Sequence, residues 1–148
     1  MTRSLTILRG YLWFLGFLLL GHGVGSLALR ALGYTDPSLT HGFVHADPLH
    51  AAIHIIWGTT MLLFLAGRAQ DWQVVDLALI FGVFYVSLAF LGVLVYHPFG
   101  LELGPFENSF HFVVGPTTLA LGLIAFWEGN YARSFGRHHG HDGRDQAL

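Results

Sequence analysis

Cysteine is absent from these 148 residues, and so is lysine. The first absence removes disulfides, thiolate metal ligands and cysteine nucleophiles together. The second leaves seven scattered arginines as the whole basic complement, which makes no patch for nucleic acid. Charge of either sign is scarce, at 11% of residues, against roughly 25% in an ordinary soluble domain. No Ser-His-Asp order, phosphate loop or dinucleotide fingerprint occurs. The glycines around Gly21-His22-Gly23-Val24-Gly25 lie inside an apolar run rather than between a strand and a helix. Period-two alternation is missing too, which argues against an outer-membrane barrel.

What is present is apolar length. Over half of the chain is hydrophobic, 53%, and the mean hydropathy is +0.56. A membrane-crossing helix needs about 20 apolar residues. Four runs qualify, at about 7–29, 48–66, 72–96 and 105–127. The expected fold is all-α, an integral membrane four-helix bundle of one domain over residues 1–132, followed by a flexible histidine-rich tail over 133–148. The first apolar stretch runs from about Leu5 to Leu32, longer than the roughly 7–15 residues of a signal-peptide core. It is read as a retained first span.

Local signals set the boundaries. Asp47-Pro48 places a capping carboxylate before a proline at the first helical position. Gly104-Pro105 repeats this with a weaker cap. Gly67-Arg68-Ala69-Gln70-Asp71 is a short polar turn, so the second and third spans should run antiparallel. Arg3, Arg9, Arg68, Arg133, Arg137 and Arg144 fall on one side and Arg30 alone on the other. That bias predicts both termini on the cytoplasmic side. The outer loops then hold Asp36, Asp47, Glu102 and Glu107 with His41, His45 and His97. Trp13, Trp72 and Trp127 suit interfacial anchoring, and Trp57 does not.

The chain also repeats itself. Pro48, His54, Gly58 and Thr60 match Pro105, His111, Gly115 and Thr117 at a constant offset of 57 residues. Two duplicated helical hairpins are expected, arranged as parallel repeats. The match between the first and third spans is much weaker and fixes no register. Asn108-Ser-Phe-His111-Phe-Val-Val-Gly115 resembles the Asn-x-x-His-x-x-x-Gly signature of a bacterial family of small four-span membrane proteins known as a domain of unknown function. The resemblance covers about residues 5 to 130. It implies the four-span fold and no activity. The second span is similar to a degenerate copy, with Ala51 where the asparagine would stand. The longer, histidine-rich first outer loop and the histidine-rich tail depart from the pattern.

The ten histidines carry the unusual chemistry. Ionisable groups within a bilayer are costly and point to function. His22, His54 and His111 fall inside three different spans at similar depth. His50 and His54 share one helix face at four-residue spacing, as do Glu107 and His111. Gly115, Thr118 and Gly122 continue the face of the fourth span, and Gly58 that of the second. Three readings follow. In the first, each buried imidazole hydrogen-bonds a threonine, Asn108 or a backbone carbonyl and pins the bundle. In the second, His54, His111 and His22 are candidate ligands of haem b or a chlorin. In the third, His50, His54, Glu107 and His111 hold zinc. The loop and tail histidines offer at most weak chelation. Asp76 reads as a helix N-terminal charge.

The leading expectation is a non-enzymatic accessory or scaffold subunit of a larger membrane complex, packed among lipid and other membrane protein subunits. The alternatives are a haem or chlorin protein of electron transfer or photosynthesis, and a zinc-binding membrane protein. A small transporter is disfavoured, because the spans lack the polar, broken helices of a substrate path.

Overall fold

The computed structural model describes residues 2–34, 47–95, 100–101 and 103–138, with side chains to residue 130. Among them are four helices: α1 (Arg3–Ala31), α2 (Pro48–Ala66), α3 (Asp71–Leu94) and α4 (Pro105–His138). Each contains a stretch long and apolar enough to cross a membrane, that of α4 being Pro105–Asn130. The protein is an all-α, multi-pass membrane bundle.

The helix ends follow their capping chemistry. Thr2 accepts from the Leu5 amide, which starts α1 ahead of the expected span. Asp47 Oδ1 accepts from the Leu49 amide at 2.9 Å, with Pro48 at the first helical position. Gln70 and Gln73 form a capping box on α3, the Gln70 amide donating to Gln73 Oε1 at 2.8 Å. At Val95 the backbone is already extended (φ −134°, ψ 104°), so α3 stops short of the expected Tyr96. The α4 backbone continues to His138, into the segment expected to be a flexible tail. Residues 128–138 contain no proline, and each added residue of a growing helix costs little. Residues 139–148 lie outside the described ones. Pro116 sits inside α4 and withholds one backbone donor from the Phe112 carbonyl.

The helices pair as two hairpins, α1 with α2 and α3 with α4. Glycines allow their backbones to touch. A Cβ on Gly58 would lie 2.6 Å from the Leu20 nitrogen and 2.7 Å from the Gly16 oxygen. One on Gly115 would lie 2.7 Å from the Val86 nitrogen. The core runs between the hairpins from Leu8, Leu12, Leu15 and Leu19 to Met61, Val74, Phe81 and Tyr85. Trp57, the tryptophan away from a span end, packs edge-on against Phe81 at 5.2 Å between centroids.

Polar contacts fasten one end of this assembly. Arg9 donates to the Ala69 carbonyl at 2.7 Å and pairs with Asp71 at 3.0 Å. Ser4 donates to Glu128 at 2.6 Å. Thr118 donates to the Val114 carbonyl, so the 3.0 Å contact with Tyr11 is a bond from the tyrosine hydroxyl to Thr118 Oγ1. The Arg9 and Ser4 contacts lie around the start of α1, the α2–α3 turn and the far part of α4, and the Tyr11–Thr118 bond lies nearer the middle of the bundle. The opposite half, near the starts of α2 and α4, holds the histidines.

Candidate metal centre

The inward positions of each helix explain which histidines meet. On α1 the buried residues Leu5, Leu8, Leu12, Leu15 and Leu19 recur at spacings of three and four. The next position in that series is His22, followed by the buried Ser26. On α2 the inward row includes His50, His54, Gly58, Met61 and Leu65. On α4 it includes Glu107, His111, Val114, Thr118 and Ala125. Pro48 and Pro105 start their helices at equivalent points, so His54 and His111 each lie roughly 9 Å along the axis from the first residue. The glycine one turn beyond each histidine draws its helix against its hairpin partner and aims the row at the centre.

There the imidazoles converge. His50, His54 and His111 each offer one ring nitrogen, and these atoms all lie within 4.8 Å of one another. The three side chains are buried, with exposures of 4%, 4% and 1%. Ring centroids are 4.5 Å apart for His50 and His54, and 5.7 Å for His50 and His111. His22 joins from α1, its Nδ1 2.9 Å from His54 Nδ1. A cavity of about 350 Å³ opens beside the rings, lined by these four histidines, Glu107, Leu18, Leu19, Phe106 and Phe110. Of the four residues read from the sequence as a metal set, the structure therefore brings the three histidines into one close group. Glu107, also buried, lines the same cavity beside them. His41, His45, His97 and the histidines after residue 138 lie outside the described residues.

For His54 and His111, the hydrogen bonds depart from the expected pinning role. His54 Nε2 and His111 Nδ1 are buried without a hydrogen-bond partner. Thr118 is engaged by Tyr11 and its own helix. Asn108 packs against Gly92 of α3, where a Cβ would collide with its amide, and its Oδ1 is likewise buried without a partner. The partner that His54 does find is another imidazole. A buried polar atom without a partner costs free energy and asks for a reason. Two imidazole nitrogens in that state, in one cluster beside a cavity, can be satisfied together by a cation.

The N-termini of α2 and α4 both lie at this end, and each carries roughly half a positive charge. Asp47 caps the first and Glu107 stands in the first turn of the second, so each helix start has a carboxyl group beside it.

Tyr85 of α3 is the site neighbour that the sequence reading missed. Its ring lies 5.1 Å from that of His111 and 6.3 Å from that of His54, and its buried hydroxyl has no hydrogen-bond partner. The spacing Val74, Ala78, Phe81, Tyr85, Leu88 marks the inward row of α3. In an apolar span, however, that row is not set off by polar residues on the opposite face.

Fold and site together define a four-helix membrane bundle with a buried imidazole cluster between its two hairpins. No family model, curated protein or solved structure matches the chain.

Proposed function

We propose that this protein binds one divalent transition-metal ion within the membrane, zinc foremost, through His50, His54 and His111 with Glu107 beside them. The observation that carries the reading is the convergence of three buried imidazole nitrogens to within 4.8 Å. Zinc–imidazole bonds of 2.0–2.1 Å at tetrahedral angles put ligand nitrogens ~3.3 Å apart. Closing from 4.8 Å takes rotamer adjustments of three side chains around an existing cavity. Imidazole is a ligand for zinc, copper, iron and nickel alike, so the ligand set defines the class and zinc is its redox-inert representative. The proposal assigns no reaction.

The same geometry disfavours a tetrapyrrole. Two axial imidazoles must stand on opposite faces of a flat macrocycle with an unobstructed plane between them. Here the His50 ring lies against both His54 and His111. An accessory-subunit role draws support only from exposed side chains such as Phe14, Phe17 and Phe90, which any lipid-facing surface would present.

Arginine placement supports both termini on the cytoplasmic side, and the family resemblance of residues 108–115 supports a bacterial inner membrane, which together put the metal site in the outer half. Matching contacts support the reading of two duplicated hairpins. Gly58 meets α1 as Gly115 meets α3, and Gly16 meets Leu62 as Gly82 meets Leu119. That last pair supplies a register for α1 on α3 that the sequence alone leaves open.

The test is metal stoichiometry. Protein stripped with a chelator and titrated with zinc should take up one equivalent, by elemental analysis after desalting. His54→Ala and His111→Ala should each abolish retention, as should Glu107→Gln combined with His54→Ala. Wild-type protein that retains no metal would sink the proposal.

A further inference from the structure

His22 has no place in the set of three mutually close ligand nitrogens, yet it is the side chain that His54 touches most closely. It stands on the inward row of α1, a helix that contributes nothing else polar to the cluster. The Nδ1 atoms of His22 and His54 are 2.9 Å apart, a hydrogen bond whose direction depends on which ring carries the proton. The other nitrogen of His54, Nε2, is buried without a hydrogen-bond partner.

The two assignments differ in what they leave at His54 Nε2, a proton with no acceptor or a free lone pair. If His54 accepted at Nδ1, its proton would sit on Nε2 as a buried donor with nothing to receive it, which is the costly state for an apolar interior. If His54 donates from Nδ1 to His22 Nδ1, its Nε2 carries a lone pair directed away from that bond. A lone pair on Nε2 is what a metal ligand requires, and the remote ring nitrogen of such ligands is regularly held by an acceptor. We propose that His22 is the positioning residue of the metal centre, accepting the Nδ1 proton of His54 and so presenting His54 Nε2 to the ion. This rests on the reading of the cluster as a metal site. His22 itself does not coordinate.

The two can be separated by experiment. Zinc affinity is measured by competition with a chromophoric chelator on detergent-purified full-length protein, for wild type, His22→Ala and His22→Asn. The side-chain oxygen of asparagine stands as many bonds from Cα as histidine Nδ1 does, and it accepts. His22→Ala should bind one zinc with roughly 10–100-fold weaker affinity, and His22→Asn should recover most of that loss. The cobalt(II)-loaded protein should keep the same visible band positions in all three, because the inner ligands do not change. Should the alanine variant fail to fold, long-range ¹H–¹⁵N spectra of histidine-labelled wild-type protein give the answer directly. They should show the His54 proton on Nδ1, and a proton on Nε2 in the metal-free protein would overturn the proposal. Equal zinc affinity in wild type and His22→Ala would overturn it while leaving the metal site standing. Equal loss in the alanine and asparagine variants would overturn the acceptor role. A wild-type protein that binds no zinc would overturn the metal reading itself.

Discussion

At the residue scale the cluster separates contributions by charge and by geometry. Glu107 lies in the cavity but beside the close imidazole group. Glu107→Gln keeps the shape and exchanges the carboxyl for an amide. The three imidazoles should therefore still hold one metal, with affinity lowered about tenfold, equivalent to ~1.4 kcal/mol. Complete loss of stoichiometric binding in that variant would place Glu107 among the direct ligands instead. Tyr85 offers a separate check. Its hydroxyl is buried without a hydrogen-bond partner, and an unmet hydroxyl of this kind costs about 1–3 kcal/mol. In the metal-free protein, Tyr85→Phe should leave stability unchanged or raise it by about 1 kcal/mol in thermal unfolding. A clear loss of stability would show that the hydroxyl makes a bond that matters.

At the element scale the helices depend on a few backbone positions. Arg68 holds a left-handed conformation, φ 57°, just after α2, where glycine is the usual residue. The Ala69 amide returns to the Phe64 carbonyl at 3.3 Å, which fixes the turn. Arg68→Gly should raise the unfolding midpoint by an amount worth about 1 kcal/mol. No rise would show that the arginine side chain compensates the strain. Gly115 is the opposite case. The two nearest atoms that an added Cβ would meet belong to the α3 backbone at Val86 and Tyr85, which cannot swing away. Gly115→Ala should destabilise by about 1–3 kcal/mol and weaken metal binding, since His111 is one turn along the same row. At Gly10 an added Cβ would meet nothing within 4 Å, and Gly10→Ala serves as the tolerated control.

How far the sequence carried follows from the same residues. Continuous apolar runs and paired Asp-Pro and Gly-Pro starts located the four helices. The spacing of His50, His54, Glu107 and His111, together with the repeat, located the cluster. Two things stayed hidden. In a helix apolar on all faces, periodicity does not say which side turns inward, so Tyr85 carried no mark. The similar depth of His22 and His54 let them be read as able to converge, but which nitrogens meet depends on the axial stagger of α1 against α2. That stagger is set by Gly58 against Leu20 and Gly16, a contact between backbones that no pattern of side chains announces.

At the scale of the whole molecule, the hairpins are joined in two places by different physics. In one half, Tyr11 to Thr118 and Ser4 to Glu128 link α1 with α4. In the other half, the first hairpin supplies His50 and His54 and the second supplies His111. A metal bound there is shared between hairpins and acts as a second fastening. Because it binds the native arrangement, zinc at about 100 times its dissociation constant should stabilise the bundle by about 2.7 kcal/mol, with a concentration-dependent unfolding midpoint. Tyr11→Phe should destabilise it by about 1 kcal/mol with or without metal. Thr118, the partner of Tyr11, and His111 are separated along α4 by roughly 10 Å, so the two fastenings share no partner. In a double-mutant cycle, Tyr11→Phe and His111→Ala should add to within about 0.5 kcal/mol. A larger coupling in zinc, absent in chelator, would mean that the hairpins close as one rigid unit and that metal at one end tightens the polar contacts at the other.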